Sequence, residues 1–384
     1  MKKTILLTLS HLLVAVLAAF LALQLTPAGL AHGADSKLDQ LEKLILERFI
    51  GEADQTAMED AAAEAMVASL GDRWSYYIPA SEYASYLEQV ENAYVGVGMT
   101  IQLTEDGQGF LIIDVTEGGP AEAAGVQVDD ILVEIEGNST VGMDVNQARD
   151  YVRGEEGTTV HLTFLRNGAK RELDVERKRI ETAVAEWQML EGDVGLIKIV
   201  NFDQRCAQET LKGIEELRAQ GAKALVFDLR GNPGGYASEM VKILDYLLPE
   251  GDLFRTLDYA GRETLDKSDA NFLDIPMVAI VNGESYSAAE FFAQALREYD
   301  AALIVGEKTS GKGYFQNTLV LCDGSAVGLS VGKYFTPKGL SLAGVGVTPD
   351  VEIALDEETW YNVYYGRIDP MEDPHILAAL DLLK

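Results

Sequence analysis

Residues 194 to 305 alternate short aliphatic, β-branched runs with longer amphipathic stretches, and no other feature of the chain restricts its fold as much. Strand-like runs fall at Val194–Ile199, 222–229, Met277–Val281 and 302–305. Helical stretches fall at Cys206–Ala219, in the segment that ends near Leu248, and from Ser287 onward. Apolar runs of strand length, separated by segments of helix length, predict parallel strands covered on both faces, an α/β core.

Upstream of this core the texture differs. Between Tyr94 and Lys178 the runs are short and β-like, as in 96–101 and Phe110–Val115, and Gly and Asp turns separate them. The segment Gly119-Pro120-Ala121-Glu122-Ala123-Ala124-Gly125-Val126, then Asp129-Asp130-Ile131-Leu132-Val133-Glu134-Ile135 and Gly137, resembles the PDZ domain pattern. PDZ domains take a peptide as an added strand at a sheet edge and capture its terminal carboxylate on backbone N–H groups. Tyr94, Val95, Gly96, Val97 and Gly98 occupy the carboxylate-loop position, where glycine lets the backbone turn its N–H groups inward.

Earlier still, Leu38, Leu41, Leu44, Ile45 and Phe49 recur at helical spacing, as do Met58, Ala62, Met66 and Leu70. These predict amphipathic helices, serving either as a spacer or dimerisation arm or as ordinary core packing. Lys2 and Lys3 precede an apolar run from Ile5 to Leu25, the pattern of an export signal. The run is also about long enough to span a bilayer, so a signal peptide and an uncleaved anchor are both open. Either one places the rest of the chain on the extracytoplasmic side of the cell membrane, anchored or secreted.

Composition narrows the chemistry. A net charge of −31 repels phosphate backbones, which argues against nucleic acid as a partner. The histidines (His11, His32, His161 and His375) are scattered and Cys206 and Cys322 form no CxxC pair, so no metal site is expected. A Cys206–Cys322 bridge and two free thiols are equally open.

Three glycine-rich loops end strands of the core: Asp228-Leu229-Arg230-Gly231-Asn232-Pro233-Gly234-Gly235, Asn282-Gly283-Glu284-Ser285-Tyr286-Ser287-Ala288-Ala289-Glu290, and 306–316. Open α/β folds bind ligands at such ends. Gly306 to Lys312 matches the start of a nucleotide P-loop, but Gly313 stands where a hydroxyl must hold magnesium, and a strand follows. Gly283 to Ser287 approaches the hydrolase elbow G-x-S-x-G without its last glycine. Ser287 and Glu290 fit a helix capping box, and a serine there also sits beside unpaired N–H groups able to stabilise an oxyanion. With no histidine in the segments read as the core, a lysine is the credible base, and Lys312 between two glycines is the candidate.

The order of export segment, helical arm, PDZ pattern and α/β core with these loops is similar to the C-terminal processing peptidases, or tail-specific proteases, a family of Ser/Lys enzymes. The similarity runs from about Asp72 to Ile353. It implies Ser287 as nucleophile, Lys312 as base and Gln316 as the group that orients the lysine. It also implies an oxyanion hole from the backbone of Gly234 or Gly235 with Ala288, and no cofactor. Arg153 is similar to an arginine proposed to couple the PDZ domain to the active site. Glu284, Tyr286, Ala289 and Ser310 depart from the family's usual residues, and the bulk of Glu284 and Tyr286 beside the nucleophile bears on substrate preference and rate.

The expected architecture is therefore multidomain α/β: a signal or anchor at 1–31, a helical region at 36–92, an inserted PDZ β-sandwich-like domain at 93–178, a crotonase/ClpP-like peptidase core at 179–355 and a tail at 356–384. Expected partners are unfolded or tagged proteins with free C-termini, a membrane through the anchor, and a second subunit in a homodimer. Rival readings are a non-catalytic or autoinhibited PDZ scaffold and an acyl-CoA enzyme of the crotonase type.

Overall fold

The computed structural model describes residues 36–384; the expected signal or anchor at 1–31 lies outside them. The chain divides into two compact units, with the boundary after Ser69. In the first, helices α1 (Lys37–Arg48) and α2 (Gln55–Ala68) form as their spacing predicts. Ser36 and Asp39 make a capping box on α1, and the Asp54 carboxylate accepts the Ala57 N–H at the start of α2. Their apolar residues are not packed away: Leu38, Leu41, Leu44 and Met66 are all exposed.

The second unit opens with β1 (Tyr76–Ile78), α3 (Ala80–Val90) and β2 (Ala93–Gly96), then enters a small β module. This comprises β3 (Met99–Leu103), β4 (Phe110–Val115), α4 (Pro120–Ala124), β5 (Ile131–Ile135), β6 (Asn138–Ser139), α5 (Val145–Val152), β7 (Thr159–Arg166) and β8 (Ala169–Glu176). Its sheet runs β3-β4-β5-β7-β8, so β3 is an edge strand. Phe110 and Ile112, Leu162 and Phe164, which alternate along β4 and β7, and Leu132 and Ile135, brought to one face by an irregularity in β5, form a separate core. The chain leaves through β9 (Lys178–Glu181), which pairs antiparallel with β2 and closes the module's neck.

The core segment that begins at Arg179 opens with strands that sequence patterning did not mark: β9, and after three residues β10 (Ala185–Leu190), the antiparallel edge of the main sheet. β11 (Val194–Ile199), α6 (Cys206–Ala219), β12 (Ala224–Asp228) and α7 (Ala237–Leu247) follow. Next come β13 (Gly251–Asp258), β14 (Glu263–Ser268), β15 (Met277–Val281), α8 (Ala288–Glu298) and β16 (Ala302–Gly306). The remainder is β17 (Tyr314–Val320), β18 (Ala326–Phe335), β19 (Val351–Glu352), α9 (Glu357–Tyr364) and α10 (Pro374–Leu382).

The main sheet has the order β10-β11-β12-β15-β16-β19 and is parallel from β11 onward. Both faces are covered, as the unbroken apolar runs predict. Leu225, Phe227, Met277, Ala279 and Val281 face α6, α7 and α8; Val226, Val278 and Ile280 face the other way, onto Ile376 and Ala379 of α10. The tail therefore packs on the core of its own chain. A second, antiparallel sheet of β1, β18, β13, β14 and β17 was not foreseen. Cys206 is buried and Cys322 exposed, each a free thiol.

Ile376 is 3% exposed in the layer between α10 and the sheet. Ile376→Ala is expected to lower unfolding free energy by about 2–4 kcal/mol, measured by urea denaturation, because it opens a cavity in a packed layer.

Candidate active site

Parallel pairing ends β12, β15 and β16 side by side, with Asp228 opposite Ile280 and Val281 opposite Gly306, so the three glycine-rich loops meet. Hydrogen bonds tie them together. The Gly231 N–H donates to Asn282 Oδ1 (3.0 Å) and the Tyr286 N–H to the Asn232 carbonyl (3.1 Å). The Ser310 hydroxyl donates to the Gly283 carbonyl (2.7 Å). Ser285, the serine of the near-miss elbow, is structural: its hydroxyl donates to the Leu229 carbonyl (2.7 Å) and accepts the Asn282 N–H (2.9 Å).

Ser287 stands at the head of α8 with φ +58° and ψ −125°, a conformation that costs a non-glycine residue about 1–3 kcal/mol. The capping box with Glu290 forms, and Glu290 Oε2 accepts the Ser287 N–H at 2.9 Å. The serine hydroxyl lies 3.3 Å from the hydroxyl of Tyr334, whose pKa burial pushes up to about 12. Phe291 and Phe315, with centroids 5.1 and 5.5 Å from the Tyr334 ring, fix that ring behind the serine.

The loop after β12 approaches so closely that a Cβ on Gly234, at φ +89°, would lie 2.7 Å from Ser287 Cβ. Gly234 N–H is occupied by Asn232 Oδ1 (2.8 Å). The N–H groups of Gly235 and Ala288 have no acceptor among the described residues.

Glu290 is fully buried and joins the serine to the lysine loop. Oε2 accepts the N–H groups of Ser287 (2.9 Å) and Lys312 (2.8 Å); Oε1 accepts the Gly311 N–H (2.7 Å) and the Thr309 hydroxyl. Burial raises its pKa, but four donors on two oxygens are satisfied only by the ionised carboxylate.

Lys312 is half-buried. Burial lowers its pKa to about 8, against the opposing pull of the Glu290 and Asp72 carboxylates. Its Nζ rests 4.9 Å from the Trp74 ring and 5.5 Å from the Tyr286 ring, and makes no hydrogen bond to Ser287. Gln316 is not joined to it either; its amide donates to Ser330 Oγ (2.9 Å) and the Tyr314 carbonyl (3.1 Å).

Beneath the loops, Arg230 is clamped by Asp228 (2.6 Å) and Asp373 (2.8 Å), all nearly fully buried. Burial alone would raise the Asp228 carboxyl, yet Arg230 outweighs it and holds the pKa below its ordinary value. His375, assigned from sequence to a tail outside the core, is brought by α10 against this cluster. Its Nδ1 faces Arg230 (3.3 Å) and its Nε2 faces the Ile353 carbonyl (2.9 Å). Nδ1 must accept from the guanidinium, so the proton sits on Nε2, and neither nitrogen is directed at Ser287.

In the β module, a groove of about 280 Å3 lies between edge strand β3 and α5, with Tyr94, Gly96, Val97, Gly98, Arg149 and Arg153 along it. The N–H groups of Val97 and Gly98 have no acceptor among the described residues. Arg153 does not reach the serine loops. It pairs with Glu88 of α3 at 2.9 Å, and Glu88 also accepts the Val95 N–H at 3.4 Å.

The profile of peptidase family S41 matches residues 193–353, and a PDZ domain profile matches 111–166. The carboxy-terminal processing protease CtpA of Bacillus subtilis is 31% identical over 369 residues, covering 93% of this chain and 79% of that one. A Staphylococcus haemolyticus protein described as a CtpA-like serine protease is 31% identical, over 83% of this chain and 64% of its own. Among solved structures, the photosystem II D1 C-terminal processing protease is 28% identical over 82% of this chain and 86% of its own, with a TM-score of 0.48. A Bacteroides fragilis protein described as an S41 protease shares the fold at 16% identity and TM-score 0.54, over 91% of this chain and 97% of its own. The chain belongs to peptidase family S41, as a serine-type protease of the C-terminal processing group that carries a PDZ domain.

Sequence reasoning passed over Trp74, Glu88 and Asp72 as site residues and gave Glu290 only a capping role. Trp74 and Glu88 carry no local motif. The Glu290 carboxylate could have been suspected, because the two phenylalanines that follow it mark this turn of the helix as packed into the core.

Ser287→Gly removes a strained side chain, whereas Ser287→Ala keeps the strain. Ser287→Gly is expected to be more stable than Ser287→Ala by about 1 kcal/mol in urea unfolding. Glu290→Gln puts an amide NH2 where only acceptors fit, and is expected to cost about 2–3 kcal/mol in the same measurement.

Proposed function

We propose that the protein is an endopeptidase that captures substrate C-termini in its PDZ groove and cleaves with Ser287 as nucleophile and Lys312 as general base. The observation that carries this reading is the Glu290 carboxylate bridging a positive-φ serine at a helix N-terminus to a half-buried lysine of lowered pKa.

The neutral Lys312 amine takes the proton from Ser287 Oγ as the oxygen attacks the scissile carbonyl. The tetrahedral oxyanion is held by the Gly235 and Ala288 N–H groups, aided by the positive end of α8; Gly234, whose N–H is occupied, shapes the turn. Lys312 then gives its proton to the leaving amine. In deacylation it takes one from the water that attacks the ester, and returns it to Ser287.

This chemistry requires Lys312 to leave the Trp74–Tyr286 rings and Ser287 to exchange Tyr334 for the lysine, so the arrangement described is a resting one. Gln316 is assigned an orienting role through Oε1, which has no hydrogen-bond partner among the described residues. Tail capture is assigned to Tyr94–Gly98, with the Val97 and Gly98 N–H groups as carboxylate donors and Arg153 as the gate. In the resting state Glu88 holds Arg153, as a substrate carboxylate would in its place. Such a resting state also accommodates the autoinhibited alternative. The site of action is proposed to be extracytoplasmic, on the strength of the lysine-led apolar run from Ile5 to Leu25.

Cleavage of an unfolded protein with an apolar tail is expected to disappear in Ser287→Ala and Lys312→Ala and to slow when the tail is amidated. Persistent cleavage by Ser287→Ala overturns the nucleophile. Because the base must be neutral, kcat/KM should rise with pH through about 8. Asp72→Asn removes a charge that favours the ammonium, so this limb should move to lower pH. Tyr286→Ala removes one cation–π wall and is expected to raise kcat/KM about three- to tenfold at pH 7.

A further inference from the structure

A second groove, of about 520 Å3, opens beside the serine loop and is walled by α9. Tyr286 and Pro233 line it, and these residues immediately precede Ser287 and Gly234, so the groove lies beside the proposed reaction site. Trp360 and Tyr364 of α9 form the facing wall, and Glu284 reaches in from the serine loop. The three meet at one place: a Cβ added to Gly231 would lie 3.8 Å from the Tyr364 ring and 3.9 Å from both Trp360 and Glu284 Oε2.

The charges in this groove are all of one sign. Glu284 and Glu357 line it, neither has a side-chain hydrogen bond or ion-pair partner among the described residues, and no lysine or arginine lines it. Aromatic faces attract cations, and nearby unpaired carboxylates add to the attraction. The C-terminal end of this helix already displays this preference: the guanidinium of Arg367, just beyond it, stacks on Tyr361 and Tyr365, 5.1 and 5.3 Å from their centroids. Within the groove, Tyr361 and Tyr365 share their rings with Arg367 and Tyr286 shares its ring with Lys312, whereas Trp360 and Tyr364, beside the two carboxylates, carry no cation among the described residues. Glu284 and Tyr286 are also two of the positions at which this serine loop departs from the usual motif.

We propose that this groove is a substrate subsite for a cationic side chain, lysine or arginine, close to the scissile bond, with Glu284 as a specificity-determining residue. The assignment rests on Ser287 being the nucleophile, because that places the groove beside the cleaved bond. A strongly acidic chain reinforces it by steering basic polypeptide segments toward the cleft.

The test uses the full chain and a neutral peptide with an amidated C-terminus, so that PDZ capture of a carboxylate does not contribute. A single lysine, or norleucine as its uncharged isostere, is moved along the peptide. At one position near the cleaved bond, lysine is expected to raise kcat/KM about tenfold over norleucine, the ratio falling to about threefold or less in Glu284→Gln and further in Glu284→Gln with Glu357→Gln. Binding of the same peptides to full-length Ser287→Ala, followed by calorimetry, should show the same ranking, and this arm stands even where turnover is too slow to follow. Equal values for lysine and norleucine in both measurements overturn the subsite, as does a ratio unchanged in Glu284→Gln. Cleavage retained in Ser287→Ala would instead overturn the nucleophile, so the two failures are distinguishable.

Discussion

One buried carboxylate holds the reactive half of this molecule together. Glu290 enters from the first turn of α8 and accepts backbone N–H groups from the serine loop on one side and the lysine loop on the other. A charge in the interior is tolerable only when every lone pair is matched, and here four donors match it. The arrangement works in both directions: the carboxylate needs the loops to be stable, and the loops take their shape from the carboxylate. It also lies close enough to Lys312 to favour the ammonium, so the same group that holds the lysine loop opposes deprotonation of the lysine.

The rest of the core supports that contact. The parallel register brings three loops to one edge of the sheet, and Arg230, clamped by Asp228 and Asp373, anchors the loop that presses on Ser287. Because Asp373 belongs to the C-terminal segment, the tail helps shape the site. α9 then turns its aromatic face to the same cleft, so one short stretch of chain both braces the site and borders it.

Under the proposed mechanism, two contacts define a resting state. Glu88 occupies Arg153 at the neck of the PDZ groove, while Lys312 lies against Trp74 and Tyr286 instead of the serine. Both are ionic or cation–π contacts at half-exposed positions, of about 1 kcal/mol each, weak enough for a bound polypeptide to displace.

Much of this was legible in the primary structure. The alternation from Val194 to Val305 determined a parallel sheet covered on both faces, because a strand buried on both sides must be apolar throughout. The run from Gly119 to Gly137 marked the PDZ module, and the loop motifs offered Ser287 and Lys312 as candidates. The tertiary structure alone decided which groups meet. The stretches Lys178–Glu181 and Ala185–Leu190 became strand because β2 and β11 offered them partners, His375 entered the core because α10 covers the sheet, and Glu88 found Arg153 across the neck of the module. Local periodicity and turn chemistry act over a few residues and are written in sequence. Contacts such as Arg230 with Asp373, or Trp74 with Lys312, join residues far apart along the chain, and only the closure of the fold brings them within reach of each other's charge.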